Sequence, residues 1–337
     1  MTGTIESMIL TGTQESSDDS SFSHRKEAKP IEIDGREGVY SVAFLADGKH
    51  VVGGGDEGKI RRWRVENGQE VGTPMDAGGR VLNIAVSQDD KWVVSGTDSG
   101  LVTVWNAESH SKVTELKAHD KWVQAVDVSP DGTKIATGSY DKTVCVWSLS
   151  TGERLLGPLQ HVCSVAAVKF SPDGRLIATA SYRRDIRVYD SQNGGLLGGF
   201  PVEVNSFLNQ SLAWASNGKQ LFALSRDGDI HCLDVYTSTT LSKWCIHSRI
   251  NARCIALASN GTFIGGIVAV SSHSSVSFWD TTTHERIGPV IEQTRVIDSM
   301  AISANYDLVS GGQRTITLSG LYDILPSRYC GNVHVSA

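Results

Sequence analysis

The tetrapeptide Ser129-Pro130-Asp131-Gly132 recurs unchanged as Ser171-Pro172-Asp173-Gly174, 42 residues later. One period before the first copy stands Gln88-Asp89-Asp90, and two periods before it Ala46-Asp47-Gly48. Degenerate copies follow as Ser216-Asn217-Gly218, Ser259-Asn260-Gly261 and Ala304-Asn305-Tyr306. The last residues of these turns are 48, 90, 132, 174, 218, 261 and 306, separated by 42, 42, 42, 44, 43 and 45. Self-similarity at a period of this size marks a chain of stacked supersecondary units, here seven of them.

Each turn follows a short apolar frame. The frames are Val39/Val42/Phe44, Val81/Ile84/Val86, Val123/Val126/Val128, Val165/Val168/Phe170, Leu212/Trp214, Ile255/Leu257 and Ile297/Met300/Ile302. The last two members alternate, as one buried face of a strand requires. Where a frame has three members, the first lies three residues earlier instead of two, and a β-bulge there would restore its inward direction. After each turn come a second strand (Val51-Val52, Val93-Val94, Ile135-Ala136, Ile177-Ala178) and a polar turn. A third strand then ends in an aromatic at Trp63, Trp105, Trp147, Tyr189 and Trp279, with Leu233 in unit five and Ser319 in unit seven. A weaker fourth strand, such as Val113-Thr114-Glu115-Leu116, closes the unit.

A four-stranded antiparallel sheet cannot bury both faces by itself, and radial stacking buries them and leaves few edges. The expectation is an all-β fold: a seven-bladed β-propeller of four-stranded antiparallel blades. A pair of sandwiches would not hold this register over seven units, and β-helix turns are much shorter. At about 150 residues per domain, 337 residues would suggest two domains. The period replaces that figure with a single ring over residues 28–319, flanked by an acidic Ser-rich tail (1–27) expected to be disordered and an extension (320–337).

The unit resembles the WD40 repeat, with GH near its start, an SPDG turn, an S-x-D turn and a terminal W-D. The third unit is the best copy: His119, Val123, Ser129-Pro130-Asp131-Gly132, Thr137-Gly138-Ser139, Asp141 and Trp147. The fourth keeps His161 and Thr179, but has Arg183 in place of the Asp and Tyr189 in place of the Trp. Gly35, Ala77, Asn205, Ser248 and Gln293 replace the GH histidine elsewhere, and only Trp279-Asp280 is a literal W-D pair. The resemblance implies a buried structural network of His119, Thr137, Asp141 and Trp147. It also implies that Ile31 and Ile33, just before the first unit, pair with the last blade, so that the ring is closed by an N-terminal strand.

The resemblance further implies a non-catalytic scaffold that binds a protein or peptide on the face formed by the second-to-third-strand turns and the loops entering each first strand. Trp122, Tyr140, Tyr182, Arg183 and Arg184 fall at such positions in adjacent units, and Trp, Tyr and Arg are the types enriched at interface centres. Such a patch suits a segment carrying an acidic or phosphorylated residue beside an apolar anchor. The net charge of −6 (31 Lys+Arg against 37 Asp+Glu) argues against a dominant nucleic-acid footprint. A subunit of an RNA-processing assembly is the alternative reading, and a propeller hydrolase or lactonase with a channel metal at Asp141, Asp227 and His273 a lesser one. No catalytic motif, P-loop or CxxC pair is present, so no cofactor and no metal is expected. The chain lacks an apolar run of membrane-spanning length and a signal-like start, so a monomeric intracellular protein, cytoplasmic or nuclear, is expected. Its six cysteines then read as thiols.

Overall fold

The computed structural model describes residues 30–182, 185–202, 212–225, 228–246, 251–270 and 272–330. The proposed tail at 1–27 lies outside them, as do residues 331–337 of the extension. The described chain is almost entirely β, with antiparallel pairing throughout.

Units two to six each form a separate four-stranded blade in simple up-and-down order. In unit three the strands are Val123–Val128, Lys134–Ser139, Thr143–Ser148 and Arg154–Gln160. The first strand of each blade lies innermost and the fourth on the rim.

The expectation of seven separate blades is corrected by the sheet topology. The propeller has six blades among the described residues: five of four strands and one of six. The six-stranded blade merges what the sequence divides into the first and seventh units. Its cause is one unbroken strand, Ile31–Phe44. The first part of that strand pairs with the last strand, Asp307–Gly320, from Ile31↔Leu318 to Asp34↔Thr315. Its second part pairs with His50–Gly55, from Val39↔Gly55 to Phe44↔Val51. A further pair, Gly38↔Gln313, carries the ladder across the gap. The period counts sequence units, whereas hydrogen bonding counts sheets. On its far side this blade is frayed, its outer strand reduced to Met75–Asp76 and an isolated Trp63↔Glu70 bridge.

The three-residue spacing in the frames is explained. The first strands of units one, two, three, four and seven all break register between the first frame position and the residue two further on, as at Val39/Ser41, Val81/Asn83 and Val165/Ala167, and unit six breaks at Ala252/Cys254, three residues before Ile255. The extra residue lets both Val39 and Val42 point inward, and both are buried.

Neighbouring units interlock by repeated contacts. A Cβ on Gly96 would lie 2.7 Å from Val123 Cγ1, and one on Gly138 2.7 Å from Val165 Cγ1. Glycine at these strand positions is what allows the next unit's first valine to approach. Side chains of the innermost strands also cross between units. Ser299 Oγ accepts from Val42 N (3.0 Å), Ser41 Oγ from Ile84 N (3.0 Å) and Asn83 Oδ1 from Val126 N (2.8 Å). Units three and four carry Ala125 and Ala167 at this position and have no such side chain to offer.

On the rim, the turn before each fourth strand covers the preceding unit's outer strand. His110 Nδ1 lies 2.7 Å from Thr73 O, and His284 stacks on Trp244 at 4.2 Å. In the seventh unit the segment after Gly320 takes this place. It forms a 3-10 turn at Leu321–Asp323 and a short helix at Ser327–Cys330. Leu321, Leu325, Tyr329 and Cys330 join a core with Phe263, Phe278 and Ile287. Tyr329 donates its hydroxyl to Asp280 Oδ2 (2.8 Å) and accepts Asn260 Nδ2 on its carbonyl (3.1 Å).

Candidate functional site

Two groups of residues singled out by the sequence meet in the third unit. The first is internal. His119 follows the fourth strand of unit two, Thr137 lies on the second strand of unit three, Asp141 in the turn after it, and Trp147 on the third strand. Trp147 Nε1 donates to Thr137 Oγ1 at 2.9 Å. Thr137 Oγ1 lies 2.7 Å from His119 Nε2, and His119 Nδ1 lies 2.8 Å from Asp141 Oδ2. A neutral ring that protonates Nδ1 donates to the carboxylate and accepts the threonine hydroxyl, so every member has a partner of the right kind. Burial pushes the His119 pKa down against the pull of Asp141, which favours this neutral form. Burial alone would raise the Asp141 pKa, but the Thr143 hydroxyl and the His119 ring together hold it below its ordinary value.

Thr143 was missed in the sequence. Its hydroxyl donates to Asp141 Oδ1 (2.6 Å) and lies 3.0 Å from His119 Nδ1. The signal was available as a hydroxyl residue two positions after the turn carboxylate. The other units keep less of the chain. In unit two, Trp105 Nε1 donates to Ser95 Oγ (3.0 Å). In unit one, Gly53 stands in the hydroxyl position beside Trp63. In unit four, His161 Nε2 lies 3.4 Å from both Thr179 Oγ1 and the Tyr189 hydroxyl. Its Nδ1 is buried without a partner among the described residues.

The second group is a surface. Trp122 and Tyr140 are 42% and 41% exposed, with ring centroids 5.8 Å apart and planes tilted by 43°. The backbone joins their two loops, since Tyr140 N donates to Trp122 O at 2.9 Å. The rings line a cavity of about 470 Å³ together with Asp98, Asp120 and Lys121. Arg80 places its guanidinium 5.6 Å from the Trp122 ring centroid while its Nε donates to Asp98 Oδ2 at 2.9 Å. Lys121 Nζ stands 5.9 Å from the Tyr140 centroid. The ring faces are thus flanked by two cations, Arg80 is itself paired with Asp98, and Asp98 and Asp120 line the cavity, which leaves its charge nearly balanced.

Of the other expected patch residues, Tyr182 is partly buried and its backbone N donates to Ser164 O at 2.8 Å. Arg183 and Arg184 lie outside the described residues, as does Asp227 of the channel-metal reading. Among the described residues no group of three or more His, Cys, Asp or Glu side chains is placed to hold a metal ion. Lys121, Asp98 and Asp120 complete the cavity and Arg80 covers its Trp122 ring, whereas the expected patch lay over units three and four. The cause is reach across the blade boundary, because Arg80 belongs to unit two and covers an aromatic of unit three.

A protein-family model, the WD domain, G-beta repeat (WD40), matches residues 30–64, 69–106, 110–148 and 154–190. These segments are the first four units. Units five to seven, with Asn205, Ser248 and Gln293 at the histidine position, lie outside the matches. No curated protein matches the chain. The four matched segments are WD40 repeats, and the sheets of the chain are arranged as a β-propeller.

Proposed function

We propose that the protein is a non-catalytic scaffold that captures a segment of a partner protein at the Trp122–Tyr140 cavity. WD40 repeats on a propeller are consistent with a protein-interaction role, but a fold hosts many functions and the site must carry the reading. The observation that carries it is the cavity itself. Two large aromatics, exposed side by side and held by a backbone hydrogen bond, offer apolar area at little ordering cost. Buried aromatics elsewhere in the chain are accounted for by packing; these two are not.

The partner group best suited to the cavity is an apolar or aromatic anchor. The cations nearest it, Arg80 and Lys121, would contact acidic residues beside that anchor. All six cysteines are free thiols, which supports a reducing, intracellular setting for the encounter.

The test is affinity capture with crosslinking, followed by quantitation with the Trp122→Ala/Tyr140→Ala double variant. A partner recovered by the wild type should be lost at least tenfold by the variant, with the thermal midpoint within a few degrees, because both side chains are half exposed. Undiminished recovery, or crosslinks confined to the rim, would sink the reading.

A further inference from the structure

The six-stranded blade creates a second feature on the same face as Trp122 and Tyr140. Arg295 lies in the loop entering the first strand of unit seven, and Arg314 (φ 61°) at the bend of Asp307–Gly320 between the part paired with Ile297–Ile302 and the part paired with the N-terminal strand. The matching connections of unit three carry Trp122 and Tyr140. Both arginines line a cavity of about 740 Å³ with Thr294, Ser272 and Gln313, and an adjoining one of about 410 Å³. The cavities lie where Ile31–Phe44 crosses from one unit to the other. Unit three has His119 and the turn carboxylate Asp141 at the matching sequence positions; unit seven has Gln293 for the histidine and no turn carboxylate.

The guanidinium groups are positioned by backbone. Arg295 Nη1 donates to Gln313 O (3.1 Å), and Arg314 Nε donates to Arg36 O (2.8 Å). Each guanidinium has five N–H donors, and among the described residues one is used in each case. Elsewhere in the molecule, arginines near acids pair with them: Arg61 with Glu57 and Glu70, Arg80 with Asp98, Arg187 with Asp185. Arg295 and Arg314 do not. Among the described residues neither has a carboxylate within salt-bridge distance, although Glu32, Asp34, Glu37 and Asp56 line the same cavities. Two of those acids are already engaged: Asp34 Oδ1 accepts from Arg36 N (2.8 Å) and Asp56 Oδ1 from the Tyr40 hydroxyl (2.7 Å).

We propose that Arg295 and Arg314 form an oxyanion-binding site, taking a phosphate or carboxylate group carried on a peptide segment of a partner protein. Two backbone-anchored guanidiniums, with most of their donors directed to no acceptor among the described residues, suit a planar or tetrahedral oxyanion. The lining acids keep the surrounding field weak, so recognition is by hydrogen-bond geometry at two points and not by a broad basic patch. The site does not depend on the aromatic cavity, although Asp56, which lines it, lies 4.0 Å from the Arg80 guanidinium that covers Trp122.

The test uses fluorescein-labelled nine-residue Gly/Ser peptides carrying one phosphoserine, one glutamate or neither, read by anisotropy on the full chain. The phosphoserine or glutamate peptide should bind at least tenfold more tightly than the neutral one, and the comparison of the two identifies the source of the oxyanion. Arg295→Glu/Arg314→Glu should abolish that difference, and Arg295→Gln/Arg314→Gln should reduce it if the charge reversal does not fold. Trp122→Ala should leave it unchanged, which separates this site from the scaffold reading. Equal binding of all three peptides, or acidic-peptide binding that survives both arginine pairs of substitutions, overturns the proposal.

Discussion

At the residue scale, the third and fourth units are a natural comparison. The relay Trp147–Thr137–His119–Asp141 satisfies each of its polar atoms, and such networks are costly to break in part. Asp141→Ala leaves His119 Nδ1 with only Thr143 and should destabilise the protein by about 1–3 kcal/mol, read by denaturant melts. In unit four, His161 lacks the carboxylate partner and its pKa falls to about 4, through burial first and then the nearby Arg187. A histidine whose folded pKa lies below its unfolded value of about 6.5 binds protons more readily when unfolded. Its neutral form therefore supports the fold above about pH 6.5, and that support is lost as the pH falls towards 4. The loss should be on the order of 3 kcal/mol, and His161→Gln should flatten that part of the stability–pH curve. An unchanged profile would show that the ring is not sequestered.

At the scale of elements, two kinds of bulge do different work. Those on the innermost strands turn a three-residue spacing into a buried pair. Those on the outer strands of units two to five fall at Val113, Leu155, Leu197 and Leu241, each at the same register break beside the third strand's last aromatic or leucine. Bulges on exposed edges discourage strand pairing between molecules, which suits strands on the rim. Among the described residues the other units have no helical segment like Leu321–Cys330. It replaces a missing turn and seals Ile287 and Phe263. Leu325→Ala should cost about 2–5 kcal/mol as a buried truncation. Ending the chain at Gly320 should lower the melting temperature more than any single substitution in the segment. A truncated chain that melts like the full one would reduce the segment to decoration.

At the scale of the whole molecule, the ring is joined through the strand Ile31–Phe44. Ile33 is buried against Ile316 and Leu318 in the core of the six-stranded blade. Ile33→Asn places an amide in that apolar position and should destabilise the fold by several kcal/mol on the order expected for core disruption. Protease cleavage should then begin at the seam; cleavage beginning elsewhere would show that closure does not limit stability. The relay, the bulges and the strand order were legible in the sequence because each is written within about 42 residues. The cavity at Trp122 was legible only in part, since its aromatics were recognised but the flanking Arg80 comes from another unit.

The sequence alone determined the repeat, the alternation of buried and exposed strand positions, and the residues of the third unit's relay, because these depend on local periodicity and short spacings. The tertiary structure alone decided that six blades form from seven units, that the chain after Gly320 is a packed element, and that Arg295 and Arg314 stand beside open cavities. Those outcomes rest on contacts between distant segments, such as Arg314 with Arg36 across 278 residues. No local pattern specifies whether a strand ends at a blade boundary or crosses it; the hydrogen-bond partners available on the far side do.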